Sequence, residues 1–174
     1  MTNTMNSFLQ SYELLPQARS DETGATVIHF WAANNMIDKI KQAKKENVNL
    51  NVCDFYGNTP LHYATSTCSY DAAIFLLELS RDNPVVNFQG ISPAHIAAAK
   101  GDVKMLVSMA LSPKLLKICT PNGWGILHYA AYFGRLEAVR YIMQEVPNQI
   151  NTVAYFSENV DSLEITKNMK YSSP

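Results

Sequence analysis

The sequence predicts an all-α solenoid of stacked helix–turn–helix units, and three regularities of the chain lead to that prediction. Histidine recurs at a constant interval of 33 residues, a glycine stands five residues before each histidine, and a pair of apolar segments follows each glycine. A period of roughly 20–50 residues is typical of repeat architectures, in which each unit buries its apolar face against its neighbours. The four histidines that set the period are His29, His62, His95 and His128.

A tight turn should open each unit. Glycine at the same offset in every copy indicates a backbone position that requires positive φ. Six residues after the histidine, the third and fourth copies have Gly101 and Gly134, whereas the first two have Asn35 and Cys68. We expect the same backbone geometry at this second position, which asparagine tolerates and cysteine tolerates less readily. The glycines of the opening turns are Gly24, Gly57, Gly90 and Gly123.

Two short helices should follow each turn. Threonine, serine or glycine precedes the first apolar run, and Pro60 and Pro93 come directly after such a residue, which is the N-cap and first-turn arrangement that starts a helix. The second run has helical spacing, most clearly in the fourth copy. The segment between units holds turn residues and is too short for a long strand, so it should form a β-hairpin-like finger. In the last second helix, the residues predicted to share an apolar face are Leu136, Val139, Ile142 and Met143.

These segments resemble the ankyrin-repeat family, whose units of about 33 residues carry a T-P-L-H-x-A signature. The resemblance is closest in GNTPLHYA from Gly57, good in GISPAHIAA from Gly90 and GWGILHYAAYFG from Gly123, and weaker in GATVIHFWA from Gly24. It implies an ankyrin-repeat solenoid that contacts its ligand through the finger tips and the exposed side of each first helix. The aspartate or asparagine usual in the family's hairpin gives way to Thr120 in the last finger, which therefore departs from the family pattern.

The repeat phase divides the chain into six predicted segments. Internal repeats are covered on both sides, so the terminal units need a polar outer surface. Four lysines between residues 39 and 45, in the second helix of the first repeat, fit either a solvated end of the stack or a surface for an acidic partner. The segments are an N-terminal capping segment at 1–20, repeats at 21–53, 54–86, 87–119 and 120–152, and a C-terminal cap or degraded fifth repeat at 153–174.

The repeat spacing argues against metal binding or catalysis by the histidines. Packed helices lie about 8–10 Å apart, whereas two nitrogens on one zinc ion lie within about 4 Å of each other. One residue type recurring four times without companion residues also makes no active site. We therefore expect no metal, no cofactor and no catalytic residue. The predicted role of the four histidines is structural: each ring bonds a nearby hydroxyl and the backbone of a turn, and the resemblance implies the same role. His128 must find another partner, because Gly125 replaces the hydroxyl residue.

Composition excludes several other classes of function. With 14 basic and 15 acidic residues, the chain has no general attraction for nucleic acid or an anionic membrane. It contains neither a secretory signal nor an apolar run of roughly 18 residues. Cys53, Cys68 and Cys119 form no C-x-x-C pair, which fits a reducing compartment. We expect a cytoplasmic protein, or one delivered into a host cell, that is not an enzyme and has no small-molecule substrate.

The remaining exposed positions indicate the function. A stripe of aromatic and amide side chains is predicted at the finger tips and on the first helices, and tyrosine and tryptophan are enriched at interface hot spots. These rings could instead pack against one another between fingers. We predict a protein-binding module, an adaptor or an inhibitor. The alternative is the recruitment domain of a larger enzyme, or a bacterial or viral effector, with its catalytic part outside this chain. The predicted partner-binding residues are Phe55, Tyr56, Phe88, Gln89, Asn122, Trp124, Tyr132 and Phe133.

Overall fold

The computed structural model describes residues 19–80, 83, 85–110 and 112–145, and within these ranges the chain folds into helices joined by turns. The predicted all-α fold is confirmed, and the fingers form hairpin-like turns, with a single isolated bridge between Arg19 and Thr26 in the described part. The helices are α1 (Val27–Ala33), α2 (Ile37–Lys45), α3 (Pro60–Ser66), α4 (Tyr70–Leu79), α5 (Pro93–Lys100), α6 (Val103–Met109), α7 (Pro113–Leu116), α8 (Ile126–Tyr132) and α9 (Leu136–Glu145).

Two rows of helices make up the stack. The first helices pack side by side in the order α1, α3, α5 and α8, and the second helices α2, α4, α6 and α9 form the other row. Each first helix begins directly after the N-cap residue that the sequence predicted, and proline occupies the first turn of α3 and α5. Small buried side chains allow the first helices to approach closely; Ala64, Ala97 and Ala130 stand at the same position of successive units and are completely buried.

Positive φ occurs at every position where the repeat pattern predicted it. The opening glycines have φ between +71° at Gly24 and +81° at Gly57. At the second position, φ is +55° at Asn35 and +58° at Cys68, close to the +75° of Gly101. The two residues with side chains therefore accept a left-handed conformation that glycine adopts without steric cost.

Replacing Gly57 by alanine should destabilise the fold more than the same change at Gly134. Both residues have positive φ, so alanine carries a similar conformational cost at each. A Cβ at Gly57 would lie 2.7 Å from the backbone nitrogen of Phe88, whereas at Gly134 no described atom lies within 4 Å. We expect losses of about 2–3 kcal/mol for Gly57→Ala and about 1 kcal/mol for Gly134→Ala in urea denaturation. Equal losses would contradict the close packing of the fingers.

The left-handed cysteine offers a site for stabilisation. Cys68→Gly should raise the free energy of unfolding by about 0.5–1 kcal/mol, because glycine removes the strain of positive φ. Asn35→Gly is the matched control. The Asn35 side chain accepts a hydrogen bond from the Ala72 backbone N–H at 2.9 Å and donates one to Asp71 at 3.0 Å. Glycine there should lower stability by about 1 kcal/mol despite the same φ. Destabilisation by Cys68→Gly would show that the strain is absent.

Two sequence-based expectations differ from the structure. The predicted face of α9 is correct only in part: Ile142 is buried and Val139 is partly buried, whereas Leu136 and Met143 are exposed and the buried Ala138 was not predicted. The third unit also has an additional helical turn, α7, which begins at Pro113 and buries two leucines. Of the predicted terminal segments, 1–20 is described from residue 19 onward and 153–174 lies outside the described residues.

Candidate functional site

The fingers are hairpin-like turns, and in three of the four the first residue holds the loop through its side chain. We define finger 1 as residues 20–25, finger 2 as 54–58, finger 3 as 87–91 and finger 4 as 120–124. In finger 2, Asp54 Oδ1 accepts hydrogen bonds from the backbone N–H groups of Tyr56 and Asn58, each at 2.8 Å. Asn87 repeats both bonds in finger 3, and Thr120 Oγ1 accepts one from the Trp124 N–H at 3.2 Å in finger 4. The hairpin-like turn therefore forms in finger 4 as well, where threonine replaces aspartate as the first residue.

Asp54 is nearly completely buried yet remains suited to a negative charge. Burial alone would raise the pKa of this carboxyl, but hydrogen bonds from Asn58, Tyr56 and Tyr63 outweigh burial and lower the pKa below its usual 3.8. The Tyr63 hydroxyl donates to Asp54 Oδ2 at 3.0 Å. Both carboxylate oxygens of Asp54 accept hydrogen bonds that stabilise finger 2, so this group stabilises the turn rather than binding a ligand.

Hydrogen bonds join the first three fingers into a ladder. The Phe55 N–H donates to the Thr23 carbonyl at 2.8 Å, and the Phe88 N–H donates to the Tyr56 carbonyl at 3.0 Å. Fingers 2 and 3 are further linked by the Asn87 side-chain amide, which donates to Asn58 Oδ1 at 2.9 Å. These links fix the spacing of neighbouring fingers.

Finger 4 breaks the ladder. The residue equivalent to Phe55 and Phe88 is Pro121, which has no N–H to offer to the Gln89 carbonyl. The residue equivalent to Asn58 is Ile91, which cannot form the side-chain link. Across the described residues, no backbone–backbone hydrogen bond joins finger 3 to finger 4.

A cavity lies at this break, between finger 3, finger 4 and helix α8. Its volume is about 570 Å³, and all the side chains that line it are uncharged. Of the eight predicted partner-binding residues, the structure brings five together here. They are Gln89, Asn122, Trp124, Tyr132 and Phe133.

Aromatic rings form the walls of the cavity. The Trp124 ring centroid lies 5.7 Å from that of Tyr129 and 5.5 Å from that of Tyr132, with edge-to-face geometry in both pairs. Tyr132 and Phe133 are themselves perpendicular, at 5.1 Å. These contacts hold the rings in place, yet 65% of the Tyr132 side chain stays exposed. Packing between rings therefore leaves surface for a ligand.

The other three predicted residues lie on fingers 2 and 3. The rings of Phe55 and Phe88 cover the glycine of the preceding finger, so a Cβ at Gly24 or Gly57 would overlap them. Phe88 nevertheless remains 77% exposed and Tyr56 61%. They extend an exposed aromatic surface away from the cavity, and their contact with a partner stays a prediction.

Four residues of the cavity were missed by the sequence reasoning. Pro121 stands where fingers 2 and 3 have phenylalanine, and this change was a readable signal, whereas the position of Ile91 differs in every repeat and gave none. Thr120 and Tyr129 carried no such signal, because each fits a structural position of the repeat. The missed residues are Ile91, Thr120, Pro121 and Tyr129.

The histidines connect successive units. In every copy, the backbone N–H of the N-cap residue donates to histidine Nδ1, at 3.0–3.1 Å. The neutral ring therefore carries its proton on Nε2. His62 Nε2 donates to the Ile91 carbonyl at 3.0 Å, and His29 and His95 make the equivalent bond to the next finger. In the fourth copy, the His128 ring also lies beside the indole of Trp124, at 5.9 Å between centroids.

These surroundings favour the neutral form of each imidazole. Burial lowers the pKa of His29 and His128 below the usual 6.5, and it lowers the pKa of His62 and His95 to about 4. Over the described residues, no group of three or more histidine, cysteine, aspartate or glutamate side chains could hold a metal ion. No helix in the same part of the chain is both long and apolar enough to cross a membrane.

Comparison with known proteins agrees with the repeat pattern. The model of the family described as ankyrin repeats (three copies) matches residues 3–87 and 79–154. The chain is 31% identical over 135 residues to the ankyrin and armadillo repeat-containing protein of Homo sapiens. The aligned segment covers 71% of this chain and 9% of that protein. It is 32% identical over 123 residues to NF-kappa-B inhibitor alpha of Homo sapiens, covering 67% of this chain and 38% of that one.

A third relative is neurogenic locus notch homolog protein 1 of Mus musculus, 26% identical over 132 residues, or 75% of this chain and 5% of that protein. The chain thus covers less than two fifths of the length of each of these relatives. Ankyrin repeats are modules of protein–protein interaction. On the repeat pattern, the fold and the family match together, the chain belongs to the ankyrin-repeat family.

Proposed function

We propose that this chain binds a partner protein through its finger tips and the exposed side of its first helices, and acts as an adaptor or an inhibitor. The observation that carries the proposal is the aromatic surface formed by fingers 2–4 and α8. Phe88, Tyr56 and Tyr132 each expose more than 60% of their side chains. Exposed aromatic clusters of this kind mark interaction sites on monomeric proteins.

The chemistry of the same surface supports binding rather than catalysis. Its cavity contains no charged side chain. The buried carboxylate of Asp54 is held by hydrogen bonds within its own finger. Both ring nitrogens of His62 and of His95 form hydrogen bonds within the protein. The three free cysteines support a reducing, cytoplasmic location.

Capture of a partner tests the proposal. We expect the wild-type chain, used as bait in a cell lysate, to retain a partner that the triple variant Tyr56→Ala, Phe88→Ala, Trp124→Ala does not retain. The loss should reflect the removal of three large rings from the binding surface. Binding is measured by affinity purification and mass spectrometry, with circular dichroism showing that the variant remains helical.

The second helices provide a matched control. Leu79, Val107 and Met143 are also exposed apolar residues, but they lie on α4, α6 and α9. Their triple replacement by alanine should leave partner capture unchanged. If this control loses the partner while the aromatic variant retains it, binding occurs on the opposite side of the stack.

A further inference from the structure

The break between fingers 3 and 4 has the features of a specialised pocket rather than an irregularity of the repeat. Two hydrogen bonds join fingers 2 and 3, and neither has an equivalent at the next junction. The loss has two separate causes in the sequence: Pro121 removes a donor, and Ile91 removes an acceptor. Both changes occur at the junction that contains the cavity of about 570 Å³.

The lining indicates the kind of group that the pocket would hold. The aromatic rings of Trp124, Tyr129 and Tyr132 and the aliphatic side chain of Ile91 present apolar surface, and no charged group is available to pair with an ion. At the preceding junction the Tyr56 carbonyl accepts a hydrogen bond from the Phe88 N–H. The Gln89 carbonyl has no equivalent donor, so it adds a hydrogen-bond acceptor at one side of the pocket. A pocket of this composition suits a large apolar side chain carried by a polypeptide backbone.

Two basic side chains, Lys100 and Arg135, lie on the neighbouring surface, and the Arg135 Nε donates to the Ala99 carbonyl at 2.8 Å. In the four first helices that the structure describes, Lys100 is the one residue with a charged side chain. It stands 33 residues before Phe133, so it occupies the equivalent position one helix away from the pocket, or about 8–10 Å. Lys100 Nζ donates to the Ser66 carbonyl at 2.6 Å, and an ammonium group has further protons to donate to a carboxylate.

We propose that this pocket and Lys100 together bind an extended, acidic segment of the partner protein. A large apolar side chain of the segment enters the pocket between fingers 3 and 4. A carboxylate about three residues away pairs with Lys100, since an extended chain advances about 3.3 Å per residue. The inference rests on the proposed function, and it names the recognition element within the larger binding surface.

Selection from a phage-displayed library of random 12-residue peptides tests this directly. The immobilised wild-type chain should enrich peptides that combine a large apolar residue with aspartate or glutamate about three positions away. Fluorescence polarisation with an enriched peptide should then show at least about tenfold weaker binding to Tyr132→Ala and to Lys100→Ala. Both residues are exposed, so each variant should fold, which circular dichroism checks.

Two controls separate this proposal from others. Val107→Ala, which removes an exposed apolar side chain from α6 on the second-helix side of the stack, should leave the affinity of the short peptide unchanged. A peptide with asparagine in place of the acidic residue should bind wild type more weakly and lose its sensitivity to Lys100→Ala.

The outcomes are distinguishable from a failure of the proposed function. The pocket is rejected if Tyr132→Ala binds the enriched peptides as tightly as wild type, or if the library yields no enriched peptide. Partner capture that still depends on Tyr56, Phe88 and Trp124 would then preserve the binding function. Enriched peptides without an acidic residue would reject the role of Lys100.

Discussion

Acidification from pH 7 to pH 5 is expected to lower the free energy of unfolding by about 3–4 kcal/mol, because His62 and His95 are buried in their neutral form. In the unfolded chain these histidines have the ordinary pKa of 6.5, and in the folded chain the pKa is about 4. Below pH 6.5 the unfolded chain therefore takes up protons that the folded chain does not. The stabilisation is fully present above that pH and is lost as the pH falls toward 4.

Three further groups act in the same direction. The lowered pKa values of His29 and His128 add to the loss over the same range, and the lowered pKa of Asp54 favours the folded state until the pH falls below the usual carboxyl range. Urea denaturation followed by circular dichroism at pH 7, 6 and 5 measures the effect. The double variant His62→Gln, His95→Gln should be less stable at pH 7 and should lose most of the pH dependence. A wild-type chain that is equally stable at pH 7 and pH 5 would contradict the account of neutral, buried histidines.

The second large effect is expected from His62→Ala, which should lower the free energy of unfolding by about 3–4 kcal/mol. The substitution leaves the Thr59 N–H and the Ile91 carbonyl without the ring nitrogens that now bond them, and it opens space within the buried core. Ser66→Ala, on the exposed side of the same helix, should change stability by less than about 0.5 kcal/mol. Equal effects of the two substitutions would contradict a structural role for His62.

Conservative variants separate the two contacts of the ring. Asparagine can place an acceptor near the position of Nδ1, so His62→Asn should keep the bond to Thr59 and lose the link to Ile91. Glutamine reaches the position of Nε2, so His62→Gln should keep the link and lose the cap. Each variant should recover part of the stability lost in His62→Ala. If neither does, the ring stabilises the fold through its packing rather than its hydrogen bonds.

Much of the fold could be predicted because its determinants are local. Thr59 at the N-cap and Pro60 in the first turn favour the start of a helix on local grounds, and the turn at Gly57 requires a left-handed residue. The buried face of α9 could not be chosen in the same way. Leu136 and Met143 share helical spacing with the buried Ile142, as Ala138 does, and only the neighbouring helix decides which of them is covered.

The candidate site was predictable in position but not in form. Repeat phase places Tyr132 and Trp124 outside the structural pattern, which is why both were expected at the binding surface. The pocket between fingers 3 and 4 lies where two hydrogen bonds of the preceding junction are missing. Pro121 has no N–H to donate, and Ile91 has no side-chain oxygen to accept. The change from phenylalanine to Pro121 can be read from the sequence, but the missing hydrogen bonds become evident only when adjacent fingers are compared in space.

Hydrogen exchange measured by mass spectrometry, with and without the captured partner, tests the central claim most directly. Binding through the aromatic surface predicts slower exchange in finger 3, finger 4 and α8, with little change in α4 and α6. The fingers should respond most, because their exposed turns exchange readily in the free chain. Protection confined to the second helices, with exchange in fingers 3 and 4 unchanged, would contradict the assignment of this surface to partner binding.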